Sequence, residues 1–240
     1  MKTPVKNFLR LSGLIITLLI ACMLIFYLNF QHSIKTMKPA ETALINDSVW
    51  CIRDQFVNAY VFKGKSSYLM IDAGISKKNF GRELTKMGIK PKLITAVFLT
   101  HTDGDHIGAL SLFKNAAIYM SRDEEQMING VSGKNKFFKT KWKNGPYTMI
   151  DDNDSLVIDG LSVKMLLTSG HTTGSCCYIV GSDYLVSGDN LTVRDGKYEN
   201  FIEKFNMNTS LQSESIKKLP GPYSFRYILT GHSGIIKNEN

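Results

Sequence analysis

The chain has 240 residues, 43% of them apolar, with 29 lysines and arginines against 21 acidic residues and a formal net charge of +8. About 200 residues remain after the first 40 or so, enough for one sizeable core and too few for a second domain with a core of its own. Part of the positive charge lies at Lys2, Lys6, Arg10, Lys35 and Lys38, which flank an apolar stretch, so net charge alone does not make this a nucleic-acid-binding protein.

That apolar stretch, residues 11–30, carries no charge and is dominated by Leu, Ile, Phe and Met, long enough to cross a bilayer as a helix. It reads as a signal anchor between a basic cytoplasmic N-terminus, 1–10, and a linker, 31–45. The positive-inside rule then puts Lys2, Lys6 and Arg10 in the cytoplasm and the rest of the chain on the outer face of the cell membrane, although Lys35 and Lys38 reduce the asymmetry. Two alternatives compete. A cleaved signal peptide would leave a secreted protein, and Leu19-Ile20-Ala21-Cys22 resembles a bacterial lipobox that would make Cys22 a lipidated first residue. Against the lipoprotein reading, residues 23–30 stay apolar.

Strands are expected at 49–53, 59–62, 68–71, 93–99, 117–120, 156–158, 163–167, 177–180, 184–186 and 227–229, from apolar and β-branched runs bounded by turn residues. Helices are expected at 78–87, 107–113, 123–128 and 210–218. Strands and helices interleave throughout, which argues for an α/β protein and against an all-α or all-β one.

Four of the five histidines fall into three short segments, His101-Thr-Asp-Gly-Asp-His106, Gly170-His171-Thr-Thr-Gly-Ser175 and Gly231-His232. An aspartate stands between the last two at Ser187-Gly188-Asp189. Each segment follows a predicted strand. Imidazoles and carboxylates concentrated in this way beside Gly and Thr read as one metal site, since packing alone would scatter them. The glycines at 104, 170, 174, 188 and 231 are expected in tight turns or close approaches that exclude a Cβ.

These segments, with the opening Asn58-Ala59-Tyr60-Val61 and Ile71-Asp72-Ala73-Gly74, resemble the metallo-β-lactamase superfamily over roughly residues 46 to 235. That family's signature is H-x-H-x-D-H, a G-H-T-x-G-S loop, a G-D and a final G-H. The resemblance implies a four-layer αβ/βα sandwich over 46–240 as the catalytic domain. It implies a first metal site at His101, Asp103 and His171 and a second at Asp105, His106 and His232, with Asp189 bridging. It further implies one or two divalent ions, zinc first, and hydrolysis by a metal-bound hydroxide that Asp105 both ligates and orients. Thr100, Thr102, Thr172 and Ser175 are expected either to hydrogen-bond the ligands or to serve as ordinary turn and cap residues.

The departure from the family pattern is Asp103, which stands where the usual motif has a second histidine. A carboxylate is a harder ligand than imidazole and shifts the first site towards iron or manganese, or, being shorter, leaves it weak or empty. Flavodiiron reductases of similar fold carry H-x-E-x-D-H, which raises a di-iron redox enzyme as an alternative, disfavoured because no flavin domain follows His232. Asp189 resembles the bridging aspartate of glyoxalase II-like thioesterases, lactonases and ribonuclease Z-like nucleases rather than the cysteine of the best-known zinc β-lactamases.

Lys134, Lys136, Lys139, Lys141 and Lys143 interleave with Phe137, Phe138 and Trp142 just before Tyr147. This segment is expected to line a substrate pocket, to stack nucleic-acid bases as a nuclease-like domain would, or to lie as a solvated loop. Cys51, Cys176 and Cys177 are expected as buried thiols outside the metal site, the last two facing opposite ways if in a strand. Four glycosylation sequons are discounted because the lipobox-like segment suggests a bacterial protein, and Asp151-Asp152-Asn153-Asp154 reads as a polar turn. The expectation is a membrane-anchored hydrolase of a small ester, thioester, lactone or phosphodiester. Its partners are then a small-molecule substrate and the membrane, with nucleic acid less favoured and no obligate protein partner evident.

Overall fold

The computed structural model describes residues 3–134, 142–221 and 224–238. It divides into two compact units, residues 1–38 and 39–240. The first is one helix, α1 (Thr3–Thr36), with exposed apolar side chains such as Phe8, Leu14 and Phe26. Its apolar run, Phe8–Thr36, has 29 residues; at about 1.5 Å per residue it exceeds a hydrocarbon core of roughly 30 Å. Length and composition suit this helix to act as a membrane anchor or a signal sequence.

The second unit is built on two sheets. The first holds β1 (Ala43–Asn46), β2 (Val49–Asp54), β3 (Val57–Lys63), β4 (Tyr68–Ile71), β5 (Ile94–Phe98), β6 (Ala117–Ser121) and β7 (Thr148–Ile150) in that order. Its first four strands are antiparallel, and β4 to β7 run parallel. Next along the chain come β8 (Ser155–Ile158), β9 (Leu161–Leu167), β10 (Cys176–Val180) and β11 (Tyr184–Gly188), then a separate ribbon of β12 (Leu191–Arg194) and β13 (Lys197–Asn200). With β14 (Tyr227–Thr230) and β15 (Ile235–Lys237), the second sheet has the order β15-β14-β11-β10-β9-β8. Within it only β11 and β14 pair in parallel. The helices are α2 (Lys77–Lys86), α3 (Gly104–Ile107), α4 (Glu125–Ile128) and α5 (Thr209–Lys217).

Alternation along the strands stacks four layers. Val49 and Cys51, Tyr60 and Phe62, Leu69 and Ile71 point between the sheets, where they meet Met165, Cys176, Tyr178, Val186 and Leu229 of the second sheet. Their neighbours Ile52, Val61, Met70 and Val97 point the other way, onto Phe80 and Leu84 of α2. On the far side of the second sheet Cys177, Leu185 and Ile228 pack with Leu219, Phe225 and Ile216 of α5. The period of two thus buries both faces of each central strand, and helices must cover the outer faces. Cys176 and Cys177 face opposite sides of the second sheet, and both are free and buried, as is Cys51. Burial pushes the thiols of Cys51 and Cys177 up to about 12.

The predicted helix 107–113 is not formed. The turn α3 stops at Ile107, and a 3-10 turn follows at Leu110–Leu112. The cause lies in the backbone donors of Gly108 and Ala109, whose N–H groups bond the Gly74 and Ala73 carbonyls at 2.7 and 2.9 Å instead of carbonyls of the preceding turn, a close approach in which a Cβ at Gly108 would lie 2.0 Å from the Ile75 carbonyl oxygen. Likewise 123–128 is a 3-10 turn, Arg122–Glu124, running into the short α4. Strands β1, β7, β12, β13 and β15 go beyond the sequence expectation; all have three or four residues.

Asp159 ties the two sheets together at an edge. Its carboxylate accepts hydrogen bonds from the Ser66 and Ser67 backbone N–H groups at 2.8 and 2.7 Å and from both serine hydroxyls. These bonds hold its carboxyl down at about 2, against an ordinary 3.8. A depressed folded-state value contributes stability above the unfolded value that is lost as pH falls through the folded one. The thermal midpoint of the parent should therefore exceed that of Asp159→Asn at neutral pH, and the gap should close as pH falls from 3.8 towards about 2. A gap that is constant with pH would refute the assignment.

Candidate metal centre

Asp72 follows β4, His101 follows β5, Asp189 follows β11, and Gly231 and His232 follow β14. Because β4 pairs in parallel with β5 and β11 with β14, these loops leave their sheets at matching ends. Such carboxyl-end loops are where open α/β sheets assemble sites. A fifth loop, 168–175, joins β9 to β10 and brings His171.

All four imidazoles turn Nε2 towards Asp189. Its Oδ2 lies 3.1 Å from His232, 3.3 Å from His171 and 3.9 Å from His101, and its Oδ1 lies 3.3 Å from His106. Asp103 Oδ2 is 3.5 Å from His101 Nε2 and 3.2 Å from His171 Nε2. Asp105 Oδ2 is 3.4 Å from His232 Nε2, and the Nε2 atoms of His106 and His232 are 3.3 Å apart. The structure thus brings together all seven residues that the motifs single out, as three overlapping groups: His101, Asp103 and His171; His101, His106 and Asp189; and Asp105, His106 and His232.

The outward face of each ring fixes its tautomer. His106 Nδ1 lies 2.9 Å from Asp72 Oδ2, His171 Nδ1 3.1 Å from Asn206 Oδ1 and His232 Nδ1 2.7 Å from the Phe56 carbonyl. Those three oxygens only accept, so each Nδ1 donates. His101 Nδ1 is 3.1 Å from the Thr100 hydroxyl, which gives its own proton to Asp72 at 2.8 Å. With every Nδ1 protonated, each neutral ring presents its Nε2 lone pair inward, the arrangement a metal-binding histidine requires.

The spacing suits a cation. Ligand atoms about 2.0–2.1 Å from a tetrahedral ion are roughly 3.3–3.4 Å from one another. His106, His232 and Asp189 are 3.1 to 3.3 Å apart, and Asp105 lies 3.4 Å from His232. His101 Nε2 and Asp189 Oδ1 are buried yet make no hydrogen bond, a costly state that a bound ion would relieve. Burial pushes His101 down, and the neighbouring His106 and His171 add to it. Burial also opposes the charged forms of His106 and His232, but Asp189 and the other nearby carboxylates outweigh it and raise both. Asp189, in turn, is held well below the usual carboxylate range by His232, His106 and His171 despite its burial. A cation entering the centre displaces these protons.

Glu124 is a further member of this region, with no mark in the sequence. Its carboxylate, 1% exposed, accepts from the Thr102 N–H and hydroxyl, both at 2.7 Å, from the Thr172 hydroxyl at 2.6 Å and from the Gly174 N–H at 3.1 Å. It therefore clamps the His101 loop to the His171 loop. Burial pushes its carboxyl up, against the pull of His101 and these hydrogen bonds. Among the four hydroxyl residues expected beside the ligands, Thr100 contacts an imidazole, whereas Thr102 and Thr172 serve Glu124 and Ser175 bonds Thr172. Asp72 is held at φ +61°, a left-handed conformation uncommon for a non-glycine residue. It receives the Thr100 N–H and hydroxyl as well as His106.

Four of the five flanking glycines are required by close approach, Gly170 and Gly174 against the backbone of Gln212 and Glu124 and the other two against the centre itself. At Gly188, with φ +50°, a Cβ would lie 2.4 Å from Thr100 Oγ1, and at Gly231 it would lie 2.4 Å from Asp189 Oδ1. Gly104 is different, since a Cβ there would meet open space.

Of the pocket residues expected from the sequence, Phe137 and Phe138 lie outside the described residues. Trp142 and Tyr147 pack edge to face with each other and against the core cluster of the first sheet's outer face, and the Tyr147 hydroxyl donates to Glu125. The rings that do touch the centre are others. Phe201 lies 5.3 Å from the His171 ring and 5.5 Å from His232, and Phe56 stacks on His232 at 5.8 Å.

The same ordered segments carry a family match. Residues 52–232 fit the model of the Metallo-beta-lactamase superfamily. The chain belongs to this superfamily. A probable metallo-hydrolase of Methanocaldococcus jannaschii is 28% identical over 156 residues, covering 65% of each chain. A probable polyketide biosynthesis zinc-dependent hydrolase of Bacillus velezensis is 29% identical over 99 residues, 40% of this chain and 38% of that protein. The matches thus span less than two thirds of either relative's length. Among solved structures, a metallo-beta-lactamase of Cronobacter sakazakii described by a HARLDQ motif superposes with a TM-score of 0.63 at 17% identity, over 82% of this chain and 79% of that one. At that identity the likeness concerns the metallo-beta-lactamase fold, which the two sheets and their outer helices reproduce.

Proposed function

We propose that this metallo-beta-lactamase superfamily member is a metal-dependent hydrolase, anchored to the membrane by α1, that acts on a small ester, thioester, lactone or phosphodiester. The observation that carries this reading is the convergence of four Nε2 lone pairs on three carboxylates while every Nδ1 is bonded outward. Asp105, His106 and His232, with Asp189, would hold one ion, and His101, Asp103 and His171 carry the donor types of a second site on the other side of Asp189. Imidazole and carboxylate donors at these spacings suit zinc, with iron or manganese favoured if Asp103 ligates. A bound divalent ion would bring the pKa of its water to roughly 7 and polarise a carbonyl or phosphoryl oxygen.

The chain's own groups supply the rest. Asp105 is partly exposed, and its Oδ2 lies 3.4 Å from His232 Nε2. Its other oxygen would then accept a proton from the attacking water and aim that water at the substrate. Asp72, Asn206 and the Phe56 carbonyl keep the rings from rotating. Phe56 and Phe201 offer apolar walls against which an acyl group would lie.

The test is turnover of an acyl thioester, an aryl ester, a lactone and a bis-aryl phosphodiester by the zinc-loaded full chain. At least one should be hydrolysed, and Asp105→Asn should lower kcat by about 10²–10⁴, the range for a lost general base. No turnover of any of them at full metal loading, or an unchanged kcat in Asp105→Asn, would refute the proposal.

A further inference from the structure

Lys134 stands within the centre. Its ammonium is ion-paired with Asp103 Oδ2 and lies 2.7 Å from His171 Nε2. An ammonium has three N–H donors and no acceptor, and His171, which donates through Nδ1 to Asn206, has only a lone pair at Nε2 to offer it. Lys134 therefore uses the two donor atoms, Asp103 Oδ2 and His171 Nε2, that the first metal site would use. A metal about 2.0–2.2 Å from both would overlap the ammonium nitrogen and repel its charge. Ammonium and metal exclude one another there.

Charge points the same way. Asp103, Asp105 and Asp189 bring three negative charges to the centre. One divalent ion with the Lys134 ammonium balances them, whereas two divalent ions with the lysine would leave an excess of two. Asp103 in place of a neutral imidazole is also what an ammonium needs as partner, so Asp103 and Lys134 are matched to one another. The second site has no such competitor among the described residues.

We propose that Lys134 is the resident cation of the first site, pairing with Asp103 and His171 so that the protein loads a single divalent ion, at Asp105, His106, His232 and Asp189. This rests on the metal-centre reading above. As a partly exposed cation at the first site, the ammonium would also be available to the oxyanion of a bound ester or phosphodiester.

The test is metal per chain by mass spectrometry of the full chain, equilibrated with excess zinc and freed of unbound metal. The parent should hold about one zinc, Lys134→Met about two, and Lys134→Arg, which keeps the positive charge, about one. Circular dichroism of each variant identifies a folding failure, and Lys134→Ala then replaces Lys134→Met. Two equivalents in the parent, or one in both the parent and the uncharged variants, would overturn the role of Lys134 while leaving the metal centre intact. No zinc in any of them would overturn the metal-centre reading itself.

Discussion

Asp189→Asn should lose metal affinity by more than about 100-fold, exceeding the 10–100-fold typical of an outer-sphere partner, and should lose hydrolysis with it. Among the described residues, Asp189 is the one carboxylate within 3.9 Å of all four of these histidine Nε2 atoms, so its charge serves the whole centre. The asparagine keeps the shape and removes that charge. It also leaves an amide N–H₂ facing inward, where every ring already presents a lone pair. A competitive zinc titration against a chromogenic chelator measures the loss. An affinity within about 10-fold of the parent would mean that Asp189 does not hold the ion.

Glu124→Ala should have the largest effect on stability, at least about 3 kcal/mol, since each buried donor left without an acceptor costs roughly 1–3 kcal/mol. Four donors from two loops converge on this carboxylate, and none of them regains water at so buried a position. Glu124→Gln should cost less, about 1–2 kcal/mol. Its Oε1 still accepts from Thr102, and the Thr172 hydroxyl can turn to accept from the new N–H₂. The Gly174 N–H cannot turn and loses its acceptor. Urea unfolding of the parent and both variants gives the ranking, and equal stability of Glu124→Ala and the parent would sink the clamp. Because the clamp joins the His101 and His171 loops, metal affinity should fall in the same order.

The difference between Asp189 and Glu124 also shows what the sequence made legible. Asp189 sits beside a glycine at a strand end, in chain order between two histidine loops, and a scarce residue type in a repeated setting stands out. Glu124 follows Asp123 and precedes Glu125, an ordinary acidic run whose middle member is directed inward by the 3-10 turn at Arg122–Glu124. Nothing in the local pattern marks which of the three is buried. Lys134 reads as one of five lysines among aromatics, and only the folded chain puts its ammonium against Asp103. The central strands were legible because burial on both faces makes long β-branched runs. The edges β1, β7 and β15 and the ribbon β12–β13 were not, since three or four residues carry too little periodicity. The helix expected at 107–113 failed for a tertiary reason, the capture of the Gly108 and Ala109 N–H groups by the Gly74 and Ala73 carbonyls. Asp72 was visible within the family-like opening after β4, but its hold on Thr100 and His106 appears only in three dimensions.

The most direct test of the metal-dependent hydrolase is a titration of activity against metal. The full chain, stripped with a chelator and dialysed, should show no hydrolysis of the substrate found in the panel. Zinc should restore turnover in proportion to bound metal, saturating when the site of Asp105, His106, His232 and Asp189 is filled. Hydrolysis that persists in the stripped protein, or that fails to return when metal binds, would contradict the account.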